Sequence, residues 1–414
     1  MRLLIKHGII LTMDQVNRER HSNHIENTGT VFNPGDILIE NGVIKQISSQ
    51  IDVSEDTSIQ IIDASGCYVM PGIIESHCHI GITEEKTGKE GDDSNETANP
   101  ITPYLRAIDA VDPMDAAFHE AVKVGITSVM VGPGSSNVVG GQFMFMKTCG
   151  SRKIDNLVVL EPAAMKVAFG ENPKTLYGEK GVLPTTRMSI AAMLREELFK
   201  AKKYYSKKQK AIENGQDFDE DFHLECYLPV LNKEIPLKAH VHRTDDILTA
   251  VRIAKEFNVD ITLDHCSEGH LIVDEIKESG YPAIVGPDLA SRSKIEVENM
   301  AFKTAGILNK AGITVAITTD HPVSLIQSLP ICAGLAAKNG LGIADALLAI
   351  TSNAARICRV DHRVGTLESG KDADIAIFDG NPMEIFTHCL YTIINGEVVY
   401  QMEDHDSKVN QHPK

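Results

Sequence analysis

The segment Pro71-Gly72-Ile73-Ile74-Glu75-Ser76-His77-Cys78-His79-Ile80-Gly81 constrains this chain more than any other. A short apolar run ends there in two histidines one residue apart, and side chains two apart in an extended strand share a face. His77 and His79 therefore make half a metal site. A strand that leaves a core and presents ligands at its C-terminal end is how a parallel β/α barrel builds an active site.

The rest of the chain supplies a barrel around that strand. β-branched runs at residues 73–77, 128–131, 142–146 or 157–160, 164–168, 237–242, 261–265, 283–285 and 314–319 give the eight strands a closed barrel needs. Helical periodicity lies between them at 113–124, 185–212, 245–257, 294–310 and 343–357. Before residue 70 the chain carries short β-rich runs with an Asn41-Gly42 hairpin signal, and a matching set with Asn395-Gly396 returns after 373. The expected class is α/β: a TIM-like (β/α)8 barrel over 70–360, inserted into a small β-sandwich made of residues 1–69 and 361–405. Residues 200–236, a basic helix running into an acidic loop, read as a surface excursion that packs on a partner subunit or lids the site. The glycine-rich stretch 132–141 lacks the spacing of a nucleotide-binding loop.

Charge and cysteine usage exclude several classes. With 57 acidic against 40 basic residues the net charge is -17, which disfavours nucleic acid and membrane surfaces as partners. The N-terminal apolar run is broken by Lys6 and His7 and reads as a strand, not a signal peptide. Eight cysteines without a C-x-x-C pair point to reduced thiols in the cytoplasm. Cys78 and Cys266, beside candidate ligands, are expected to be packed rather than reactive.

Later strand ends complete the metal site. Lys238-Ala239-His240-Val241-His242-Arg243 repeats the His-x-His pattern, Leu263-Asp264-His265 follows, and Thr318-Thr319-Asp320-His321 ends the last strand with an acid. Imidazole and carboxylate suit zinc and similar divalent ions. Such an ion lowers the pKa of its water toward about 7, and Asp320 is placed to take up the proton.

These segments, with the closing Gly365-Thr366-Leu367-Glu368-Ser369-Gly370-Lys371-Asp372-Ala373-Asp374, resemble the amidohydrolase superfamily in order and spacing, and are similar to its imidazolonepropionase-like and prolidase-type branch. The resemblance implies one or two divalent metals. His77 and His79 would bind the more buried ion and His240 and His265 the more exposed one, with Asp320 binding metal and shuttling protons alongside His265 as catalytic residues. A bridging carboxylate is implied too, a carboxylated Lys166 with Glu161 as its rival and Lys147 more remote. Glu171, Asn172 and Lys174 in the following loop, and His242, Arg243 and His270, are the expected substrate contacts. Glu268 follows His265 by three residues, a spacing that deaminases of the superfamily use on an earlier strand.

The expected activity is hydrolysis of a carbon-nitrogen bond other than an ordinary peptide bond, in a cyclic amide, an amidine or an N-acyl compound. Alternatives are deamination of a heterocycle at a mononuclear site, and a non-catalytic scaffold of the same fold. The expected partners are a small-molecule substrate and further copies of the chain in a homo-oligomer.

Overall fold

The computed structural model describes residues 2–16, 18–53, 58–85 and 88–403, so residues 1, 17, 54–57 and 404–405 of the expected β-rich unit lie outside it. The described residues form two eight-stranded sheets. One unites the chain ends: β1 (Arg2–Leu11), β2 (Val31–Glu40), β3 (Val43–Ser48), β4 (Gln60–Asp63) and β5 (Tyr68–Pro71) with β14 (Ile375–Phe378), β15 (Cys389–Ile394) and β16 (Glu397–Gln401). Its order is β16-β15-β14-β5-β1-β2-β3, with β4 on β1. Strand β5 has no counterpart in the sequence reading because its four residues run on into the apolar stretch after it. It joins the two ends, parallel to β1 and antiparallel to β14.

The second sheet is a near-closed barrel in chain order: β6 (Ile73–Cys78), β7 (Ile126–Val131), β8 (Val139–Lys147), β9 (Val158–Ala168), β10 (Leu237–Val241), β11 (Ile261–His265), β12 (Ala283–Val285) and β13 (Val315–Ile317). It departs from regular alternation at β8, which pairs antiparallel with both neighbours. The connections, residues 132–138 and 148–157, are shorter than the dozen or so residues a parallel crossover needs, so the chain turns back as hairpins. The alternative runs 142–146 and 157–160 are thus both strands, the second continuous with 164–168.

Two helical expectations need adjustment. The 343–357 helix is two, Ile343–Ala349 and Ser352–Ile357, broken at Thr351. Only Lys303–Lys310 of 294–310 is α-helical, and residues before it form a loop with one 3-10 turn, Ile295–Val297. The long helix Arg187–Glu213 is capped by the Thr186 hydroxyl and carries the 200–236 excursion, which supplies no residue to the cavity described below.

Side chains close the barrel where no ladder does. The buried Glu75 carboxylate of β6 accepts from the Thr319 amide (2.9 Å) and hydroxyl (2.7 Å) beyond β13, and the Thr318 hydroxyl donates to the His77 carbonyl (2.6 Å). Burial pushes the Glu75 carboxyl up to about 7. A second buried polar cluster ties the barrel to the outer sheet: Lys147 of β8 lies 2.5 Å from Asp374 and 2.8 Å from Asp372. Asp372 is also paired with Arg363 (2.8 Å), but Asp374 relies on Lys147, so Lys147→Met strands a buried carboxylate and is expected to cost roughly 3–5 kcal/mol in denaturant unfolding. An unchanged unfolding midpoint contradicts that role.

Candidate metal centre

His77 sits on the fully buried face of β6, with Nδ1 2.7 Å from Asp264 Oδ2. His79 Nδ1 faces the Gly132 carbonyl at 2.7 Å. Both leave Nε2 toward Asp320 Oδ1, at 3.5 Å and 3.3 Å. On the facing strands His240, His242 and His265 form a second group, their rings 4.5–4.8 Å apart. In each set, His77/His79/Asp320 and His240/His242/His265, the ligand atoms lie within 4.8 Å of one another.

Local backbone accounts for part of this convergence. Strand alternation would send Asp264 and His265 to opposite faces, but His265 takes a left-handed conformation (φ 73°), and both side chains reach the barrel interior. Asp320 is also left-handed (φ 52°). Non-glycine residues held there cost about 1–3 kcal/mol each and cluster at functional sites.

The donor set fits a divalent cation. Asp320 Oδ1 and His240 Nδ1 are buried without a hydrogen-bond partner. Burial, reinforced by Lys166 and neighbouring imidazoles, holds His77, His242 and His265 well below the usual imidazole range. Burial likewise lowers His240. Neutral imidazole is the metal-binding form. Lys166 is fully buried, its Nζ 3.3 Å from His77 Nε2, and burial pushes it down to about 8. Glu161 is turned away from the cluster into a bidentate pair with Arg106 (2.8 and 2.7 Å), and Lys147 is held by Asp372 and Asp374.

The cluster floors a cavity of about 410 Å³ lined by His79, His240, His242 and Asp320, with Asn172, Lys294, Ser94 and Ser135 on its walls. Asn172 donates to Ser135 Oγ (2.7 Å) and accepts from Lys294 (2.7 Å). Glu171 lies behind the wall, its backbone amide bonded to Glu296 (2.9 Å). Arg243 is drawn to Asp245, His270 to the Thr304 hydroxyl, and Lys174 is exposed on the Glu171–Glu179 helix. These three do not line the cavity. Glu268 is bonded to the Thr244 amide and Asn299. Cys78 and Cys266 are buried, and burial raises both thiols.

Sequence reasoning missed four groups here: Asp264 behind His77, Lys238 on Asp264 (3.1 Å), Lys294 on the wall, and the buried Glu296, which faces His240 and His242 at 3.5 and 3.7 Å. Burial works to raise the Glu296 pKa, and His240, His242 and Lys294 overcome it and hold the carboxyl below its usual range. Alternation alone could have flagged Lys238, two residues before His240. Nothing in the sequence marks Glu296.

Known proteins give this geometry its family. A crystal structure of an amidohydrolase from Thermotoga maritima MSB8 superposes with a TM-score of 0.89 and 35% identity, covering 97% of this chain and all of that one. The chain belongs to the amidohydrolase family. Residues 285–400 of this amidohydrolase also match the profile described as "Amidohydrolase family". It is 28% identical to Amidohydrolase tasK of Hapsidospora irregularis over 92% of its own length, spanning only 41% of that relative. It is 24% identical to an imidazolonepropionase of Brevibacillus brevis, over 84% of this chain and 85% of that one. Prolidase-type structures share the fold. With its histidine-rich sites, the amidohydrolase is a metal-dependent hydrolase. No helix among the described residues is long and apolar enough to cross a membrane.

Metal that binds only the folded chain adds stability by mass action. Zinc at about 100 times its dissociation constant is expected to stabilise by about 2.7 kcal/mol. A thermal midpoint indifferent to zinc and to chelator contradicts the site.

Proposed function

We propose that this amidohydrolase hydrolyses a carbon-nitrogen bond other than an ordinary peptide bond, in a small cyclic amide, amidine or N-acyl compound. The observation that carries the reading is the meeting of two ligand groups, whose His79, His240, His242 and Asp320 floor one cavity of about 410 Å³ while Lys166 lies buried beside His77. That volume suits a small molecule.

His77, His79 and Asp320 would hold one ion and His240 and His265 a second, most simply zinc, with carboxylated Lys166 between them. Ions held there would polarise the scissile group and make water acidic enough to attack at neutral pH. Asp320 takes the proton, its side chain opening onto the cavity beside the ligands. The same carboxyl then protonates the departing nitrogen. His242, anchored through Nδ1 to the Ser267 hydroxyl (2.8 Å), turns Nε2 to the cavity side and orients the scissile group, while Asn172 contacts the substrate from the wall. Glu171 acts through the loop it braces. Arg243, Lys174 and His270 have no part in this pocket. Eight free cysteines favour a reducing, cytoplasmic setting, and assembly as a homo-oligomer completes the reading.

The test is metal analysis with a panel of lactams, hydantoins, N-acyl amino acids and aminated heterocycles. Near two metal equivalents with hydrolysis of a ring or acyl C-N bond is the expected result. One equivalent with release of ammonia from a heterocycle overturns it in favour of a deaminase. Asp320→Asn is expected to lower kcat about 10²–10⁴-fold with substrate binding retained. Labelled bicarbonate should give a carbamate carbon signal that Lys166→Met abolishes.

A further inference from the structure

We infer that Glu296 fixes which ring nitrogen His240 presents to the metal cluster, an inference that rests on reading His240 as a ligand. His77, His79 and His265 each commit Nδ1 to an acceptor: Asp264 Oδ2 at 2.7 Å, the Gly132 carbonyl at 2.7 Å and the Gly286 carbonyl at 2.8 Å. Each therefore has Nε2 left over. His240 is reversed. Its Nδ1 is buried without a partner, and its Nε2 faces Glu296 Oε1 and Asn172 Nδ2, both at 3.5 Å.

Of those two facing groups only the carboxylate accepts a proton; the Asn172 amide nitrogen only donates, one of its two N-H groups going to Ser135 and the other facing the ring, so a protonated Nε2 has Glu296 as its acceptor. Histidine ligands commonly give their second N-H to a carboxylate or carbonyl, which sets tautomer and ring orientation. At 3.5 Å the contact is longer than a formed hydrogen bond. A metal drawing on Nδ1 leaves the proton on Nε2 and Glu296 as its acceptor.

The fold holds Glu296 in place for this. Its side chain is 1% exposed, so water does not substitute for it. Oε2 accepts from the Glu171 amide (2.9 Å), while the Glu171 carboxylate accepts from the Glu296 amide (3.3 Å). Gly170, in a left-handed conformation (φ 82°), lets the backbone come close: a Cβ there would lie 2.8 Å from Oε2. Lys294 Nζ pairs with Oε1 at 2.5 Å, and the second lone pair of that oxygen remains for the ring. Glu296 is thus a positioning residue, acting on the metal through His240 and not touching the reacting atoms.

The experiment is zinc titration of the full metal-stripped chain against a competing chelator, with cobalt spectra of each successive equivalent. Glu296→Leu is expected to weaken one equivalent about 10–100-fold and shift its cobalt spectrum, leaving the other unchanged. Glu296→Gln, which keeps an accepting oxygen, is expected to weaken it less. Glu268→Gln, at a buried carboxylate whose oxygens bond the Thr244 amide and Asn299 and no ligand side chain, should leave both. Parent-like affinity for both ions in Glu296→Leu overturns the inference alone, as does equal weakening of both. A parent chain in which His240→Ala removes no metal overturns the underlying reading as well. Should the variants not fold, nitrogen-selective NMR of histidine-labelled zinc-loaded parent decides the matter. A proton on His240 Nε2 supports the assignment, and one on Nδ1 overturns it.

Discussion

The contact on which the site depends is the clamp between the first and last barrel strands. Strands β6 and β13 share no ladder, yet His77 and His79 leave one and Asp320 follows the other. The Glu75 carboxylate on the Thr319 amide and hydroxyl, with the Thr318 hydroxyl on the His77 carbonyl, spans that seam. It places Asp320 Oδ1 within 3.5 Å of both imidazoles. A backbone bond from the His79 amide to the His321 carbonyl (2.8 Å) spans the same seam, so main chain and side chains together bring the two ligands to the proton acceptor.

Around the seam the interior is a stack of buried polar and charged groups. Lys238 and His77 share Asp264, and Lys166 lies beside His77 above the Phe143 ring. Such groups are costly to bury singly and tolerable only when partnered. The strained backbone at His265 and Asp320 belongs to the same economy: conformations that disfavour the fold locally are held by the closed barrel because they aim ligands inward.

What the sequence revealed, and what it hid, follows from how local each signal is. His77 and His79, or His240 and His242, are two apart on one strand, so alternation shows their common face without any knowledge of the fold. The chain-order recurrence of such ends pointed to a barrel. The reversal of β8 depended on loop lengths on both sides of a run whose ends were hard to read. Asp264 was hidden by the left-handed turn at His265, which breaks the alternation that would have exposed it. Glu296 lies where helical periodicity was expected and a loop forms, and only the folded chain brings it to His240. Arg243 looked like a carboxylate clamp beside a ligand, but a neighbouring aspartate two residues on claims it.

The most direct test of the account is a crystal structure of zinc-soaked protein with anomalous data at the metal edge. Two peaks are expected in the barrel mouth, one against His77, His79 and Asp320 and the other against His240 and His265. A well-ordered barrel with no anomalous density at either set, under zinc excess, contradicts the claim that these side chains exist to hold metal.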